Sequence, residues 1–284
     1  MRSYKVALSA IVATTVVAAG LAFVPTPASA NLNLFYSSKA YRAVLEVNDS
    51  LNQIGWPTEA SYNYYQPVVG ASTVIWGTPG TPTTYEAKAQ CAPLVTAGLK
   101  RAYGWADDTY FNSNLGSVSP NSARYFDELT TDTLPHFAKR TKLSQLVSGD
   151  VIAIKYESDG SATGDPSGHM AFYVSREAVD KDDNPLTTEW AVTVVDSTSN
   201  PHGVANSNAN SVYWNFPDTR AVPATVEAPN AVEYDGLGRG TMIFQTDVLG
   251  YVVGYWWGIN ENLVSEWHSV ADRPVVFGHI TEAA

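Results

Sequence analysis

Cysteine is almost missing from this chain: 284 residues contain one, Cys91. A single thiol forbids an internal disulfide, so the fold must be held by its core alone. Basic side chains are also scarce, 17 Lys and Arg against 28 Asp and Glu. A surface of that sign argues against nucleic acid, anionic membranes and anionic wall polymers as electrostatic partners. There is no internal repeat and no composition break that would mark a linker. Signatures for phosphate and calcium are lacking too. Gly236-Leu237-Gly238-Arg239-Gly240 has neither the Gly-Lys-Ser/Thr nor the following helix of a phosphate loop. Asp180, Asp182 and Asp183 lack calcium-loop spacing and read as a solvated hairpin tip.

Long apolar runs are confined to one place, Ala7 to Val24. Arg2 and Lys5 precede that run, and Pro25-Thr26-Pro27-Ala28-Ser29-Ala30 follows with an Ala-x-Ala cleavage pattern. Residues 1–30 therefore read as a signal peptide, with the mature chain starting at Asn31. A membrane anchor is the weaker reading, because the run is barely long enough and small residues follow at once. No cysteine stands at the cleavage site to take a lipid. The expectation is a secreted or periplasmic protein with no membrane partner after cleavage. Without Arg2 and Lys5 the balance is 15 basic to 28 acidic side chains, or −13. Residues 31–284 read as one domain with an insertion at 104–140 and a long loop at 204–235.

What is present centres on Cys91. From there, Leu94, Val95, Leu99, Ala102 and Tyr103 fall at the spacing of an amphipathic helix, and Gly104 marks its end. Pro93 suits the first turn. Cys91 then opens a helix, where free N–H groups and the macrodipole favour a thiolate. A buried, inert thiol is the bland alternative, and an isolated cysteine favours it. Two later segments weigh against inertness: Gly168-His169-Met170-Ala171 starts a strand with a histidine, and Trp190 to Asp196 ends one with a carboxylate. Thiol, imidazole and an orienting polar group form the set that nucleophilic acyl transfer needs. Asn200 and His202 are rivals to Asp196 for the third place. Two other readings stay open. One is a zinc site of His169, Asp196 and His202, for which no metal motif exists. The other is a non-catalytic glycan- or protein-binding module using Trp256, Trp257 and Trp267.

A Cys helix followed by about five or six antiparallel strands is an α+β layout. On these residues the chain resembles the NlpC-type cell-wall cysteine peptidases of the papain-like superfamily. The resemblance covers roughly 70–200 and is carried by Trp76-Gly77, Gln90-Cys91, Leu146 to Ile154 with Gly149-Asp150, Gly168 to Ala171, and Asp196. The chain departs from that pattern in having Gln90-Cys91-Ala92-Pro93 where the family has Asp-Cys-Ser-Gly, and an Asp as third residue. The resemblance implies a papain-like fold, in which an N-terminal helix bearing Cys91 packs on an antiparallel sheet or partial barrel. It also implies hydrolysis of an amide in a peptide or peptidoglycan substrate without a cofactor. Cys91 would be nucleophile, His169 base and then acid, and Asp196 the orienting carboxylate, with Tyr85 and Gln90 at the oxyanion or substrate.

Overall fold

The computed structural model describes residues 27–157, 167–183, 188–204, 216–224, 230–261 and 264–282, with side chains from Tyr36 onward. Most of the expected signal peptide, and positions 205–215 and 225–229 of the expected loop, lie outside the described residues.

In chain order come α1 (Pro27–Asn52), β1 (Asn63–Tyr64), β2 (Thr73–Ile75), β3 (Glu86–Lys88) and α2 (Cys91–Ala102). Next are α3 (Asp108–Leu115), α4 (Ser122–Thr131), β4 (Phe137–Arg140), β5 (Val151–Lys155), β6 (Gly168–Val179) and β7 (Thr188–Thr198). The chain ends with β8 (Ala221–Val222), β9 (Val232–Glu233), β10 (Gly236–Thr246), β11 (Val252–Trp256), β12 (His268–Ser269) and β13 (Val275–Ile280). Eight strands form one sheet in the order β12-β11-β10-β7-β6-β5-β13-β4. Every neighbouring pair in it is antiparallel.

This architecture overturns the expected papain-like layout. The dominant element is the eight-stranded sheet, accompanied among the described residues by four α-helices. Cys91 does not stand on an N-terminal helix; it opens the second helix, after a 26-residue α1. The misreading has a local cause. β6 and β7 run on through Arg176-Glu177 and Thr188-Glu189, where apolar alternation has stopped and the sequence carries no strand signal. The ladder nonetheless continues through Glu177↔Ala191 and Val179↔Glu189. The segment 104–140 is also more than an insertion, since it supplies β4, which pairs with β13 in the main sheet.

Both faces of the sheet's centre are buried. On one, Val44, Val47 and Leu51 of α1 and Leu94, Val95 and Leu99 of α2 meet Met170, Phe172, Val195 and Leu237. On the other, Ala171, Tyr173, Val192, Val194, Met242, Phe244 and Phe277 pack on one another. Each of the larger side chains contributes about 1.5–3 kcal/mol on full burial. Burial on both faces is why β5 reads as an unbroken apolar run.

Candidate active site

Cys91 is the first residue of α2, after the extended N-cap Gln90. Its sulfur lies 3.5 Å from the hydroxyl of Ser122, the first residue of α4. Two helix N-termini thus converge on one sulfur, each with N–H groups that lack intrahelical partners. A buried Thr96–Tyr125 hydroxyl contact of 2.8 Å ties α2 to α4 and fixes that approach. His169, at the start of β6, lines the same cavity as the thiol and its charge acts on it.

Nε2 of His169 is 2.7 Å from Asp196 Oδ2, which leaves Nδ1 as the nitrogen for the sulfur. Asp196 stands near the end of β7, opposite Gly238 of β10. The structure therefore brings Cys91, His169 and Asp196 together although they are far apart in the chain. Cys91 and His169 line a cavity of about 260 Å³ with Tyr65, Tyr156, Thr198, Asn200, Trp257, Glu261 and Arg273, among others.

The electrostatics follow from these contacts. Burial pushes the Cys91 thiol up, but the hydrogen bond and charge of His169, with Ser122 and the Met170 N–H, bring it below its ordinary value. Burial pulls His169 down, yet its bonds to Asp196 and Cys91 and their charges raise it to about 9. Burial likewise opposes ionisation of Asp196, but the charges of His202 and Arg220 and two imidazole hydrogen bonds hold it well below the usual carboxylate range. An opposite charge close by in a low-dielectric site outweighs desolvation at all three groups.

Asp196 is held from behind by residues outside the stretch that resembles the peptidases. His202 Nε2 meets Oδ2 at 2.7 Å, and Arg220 Nη1 donates to Oδ1 at 3.0 Å. Arg220 is fully buried and forks onto Asp218 through Nε at 2.9 Å and Nη2 at 2.8 Å. Asp218 also accepts the His202 backbone N–H, while His202 Nδ1 faces the Trp257 carbonyl at 2.8 Å. Room for this network comes from β10. A Cβ at Gly238 would stand 2.5 Å from Arg220 Nε, and one at Gly240 would stand 2.2 Å from Asp218 Oδ2. The glycine run that fails as a phosphate loop is thus a row of small residues, spaced by two, over a buried ion-pair network. Trp257 roofs the site, its ring centroid 4.7 Å from that of His169 and 4.3 Å from that of His202.

The structure does not bring the other expected residues to the sulfur. The Tyr85 hydroxyl donates to Glu46 of α1 at 2.7 Å, so its side chain serves packing, not an oxyanion. Gln90 donates its backbone N–H to Ser72 Oγ at 3.0 Å, and it is not among the cavity-lining residues. Of the rivals to Asp196, His202 lies behind it, and Asn200 offers its carbonyl to Trp257 Nε1. Asp150, read as structural, accepts the Val147 N–H and lies 2.7 Å from His279 Nδ1. Tyr65 was missed. It lines the cavity with Cys91, and burial, then the charges of Cys91 and Asp196, push its phenol up. Nothing in the sequence around Tyr65 separates it from its neighbours Tyr62 and Tyr64.

The zinc reading has its three residues in place, though not at metal-ligand spacing. The ligand atoms of His169, Asp196 and His202 lie within 4.8 Å of one another. However, Asp196 Oδ2 touches both Nε2 atoms at 2.7 Å, whereas tetrahedral zinc bonds hold ligand atoms about 3.3 Å apart. The guanidinium on Oδ1 adds a positive charge where a divalent cation would need none. The tryptophan face is also absent: Trp256 is buried beside Trp267, and Trp257 belongs to the cavity.

No family model and no solved structure matches the chain. It is similar to the uncharacterized protein R653 of Acanthamoeba polyphaga mimivirus, at 24% identity over 218 residues, 73% of this chain and 84% of that one.

Proposed function

We propose that this chain is an exported thiol hydrolase that cleaves an amide bond, with peptidoglycan stem peptides as its substrate class. The observation that carries the reading is the cluster of Cys91 and His169 on the wall of one cavity, with the His169 ring 2.7 Å from the Asp196 carboxylate, the thiol shifted down and the imidazole shifted up. The substrate class rests on the sequence resemblance over 70–200 alone.

In this reading the Cys91 thiolate attacks the amide carbon. The oxyanion forms near the Cys91 N–H at the start of α2 and the Tyr65 hydroxyl. His169, protonated in the resting pair, gives its Nδ1 proton to the leaving amine and leaves a thioester. It then takes a proton from water, whose oxygen attacks the thioester and releases the acid and the thiolate. Asp196 keeps the ring turned so that Nδ1 faces the sulfur. Acid–base help of this kind is worth about 10²–10⁴-fold, and an oxyanion donor adds a comparable factor.

The test compares wild type with Cys91→Ala on purified peptidoglycan and on a generic peptide amide, with products identified by mass. The reading requires new carboxyl and amino termini from wild type and none from the variant. Equal product from both proteins would end it.

A further inference from the structure

The cavity has a cationic wall that the hydrolytic steps leave unused. Arg273, on the approach to β13, lines the cavity with Cys91 and His169. Its guanidinium lies 4.5 Å from the Tyr156 ring centroid, and Nη1 donates to His268 Nε2 at 3.1 Å. His268 is pushed down by burial and then by the Arg273 charge, which leaves it a neutral acceptor.

Among the described residues no carboxylate lies within ion-pair distance of this guanidinium. Asp272, next in sequence, bonds Ser269 instead. Glu261, also at the cavity, accepts the Trp257 N–H. The Tyr255 hydroxyl is buried beside Arg273 and Tyr156. The guanidinium, partly buried and braced by an aromatic face and a neutral imidazole, faces the cavity as a fixed cation. It has N–H donors to spare in a fork that matches a carboxylate. The Tyr156 hydroxyl feels both the Arg273 charge and the Cys91 sulfur, so the wall and the nucleophile share one space.

We propose that Arg273, braced on Tyr156 and His268, is a carboxylate subsite, and that the amide cleaved belongs to a short peptide whose free carboxylate docks there. This rests on the thiol-hydrolase reading, but its test does not need turnover. Full-length Cys91→Ala protein is titrated calorimetrically with a peptidoglycan stem tetrapeptide and with the same peptide amidated at every carboxyl. The acid should bind about ten- to a hundredfold more tightly than the amide, the span of one charge-assisted contact. Arg273→Gln in the same background should erase that difference while leaving amide binding unchanged, which shows the fold intact. Arg273→Lys should keep part of it, because lysine retains the charge but not the fork. Equal affinities for acid and amide, a preference that survives Arg273→Gln, or no binding of either peptide would overturn the subsite. A clear preference for the acid, with wild type inert on the same peptide, would instead remove the hydrolytic reading and leave the subsite standing.

Discussion

At the scale of single residues, the pairing of Cys91 with His169 sets a pH window. The thiolate–imidazolium pair exists above the lowered thiol value and below about 9, where His169 loses its proton. Alkylation of Cys91 by iodoacetamide should therefore already be fast below the usual thiol range, and turnover should fall on a basic limb near pH 9. A single rise near pH 8.5, as for a free thiol, would contradict the pair. The raised His169 value also links to folding. Its contribution is complete below pH 6.5 and is lost as pH climbs through about 9. Asp196→Asn should lower that basic limb and destabilise the protein by about 3–5 kcal/mol, since it removes the carboxylate that accepts from Arg220 Nη1 and neutralises one side of a buried ion-pair network. Denaturant melts and a pH–rate profile would check both effects.

Glu59 gives a second residue-scale prediction, remote from the sulfur. It is buried; burial raises its carboxyl to about 7 against a weaker opposing hydrogen bond from Asn63. Asn63 in turn bonds both the N–H and the carbonyl of Leu237 on β10. A raised acid stabilises the fold below its unfolded value of 4.5 and loses that contribution as pH rises through 7. Glu59→Gln should hence be more stable than wild type at pH 8, by about 1–2 kcal/mol, with the gap closing at pH 5. Urea melts at the two pH values would measure it.

At the scale of elements, β10 is a strand whose missing side chains matter. Gly240→Ala puts a methyl into the Asp218 carboxylate and should cost about 1–3 kcal/mol. It should also slow turnover, because Asp218 orients the Arg220 that grips Asp196. Loss of stability with unchanged kcat would contradict that linkage. The same strand explains what the sequence can and cannot tell. The helix from Cys91, the strand opening at Gly168 and the apolar stretch of β7 from Trp190 are written in local periodicity and in Gly or Pro punctuation. Convergence of Cys91, His169 and Asp196 follows from chain order plus a nucleophile's need for a base. The eight-stranded sheet was not legible, because the outer halves of β6 and β7 lack alternation and β10 opens on glycines. Arg220 and Asp218 were hidden for a similar reason: a buried salt bridge on an irregular segment has no period. Only glycines at 236, 238 and 240, two apart, marked a face that something else must fill.

At the scale of the molecule, the site is assembled from nearly the full length of the chain. Tyr65 comes from the N-terminal part, Cys91 and Ser122 from helices, His169 and Asp196 from the sheet, and Arg220, Trp257 and Arg273 from the last third. Among the described residues no helix is long and apolar enough to cross a membrane. A chain ending at residue 201 keeps the whole stretch that resembles the peptidases, yet it loses β10 to β13 of the main sheet together with His202, Asp218 and Arg220, which set the carboxylate. It should alkylate with the pH dependence of an ordinary thiol, and mass spectrometry across a pH series would check this.

The Arg220 clasp on Asp196 has a further consequence for how the protein comes into being. A ribosome delivers the sulfur first, the imidazole later, and the groups that tune them last. Until Trp257 has been made and has settled over the imidazoles, the nascent polypeptide carries an ordinary, sluggish mercaptan. On the proposed reading, the full setting of the sulfur therefore exists only once the part of the chain beyond Trp257 has been made.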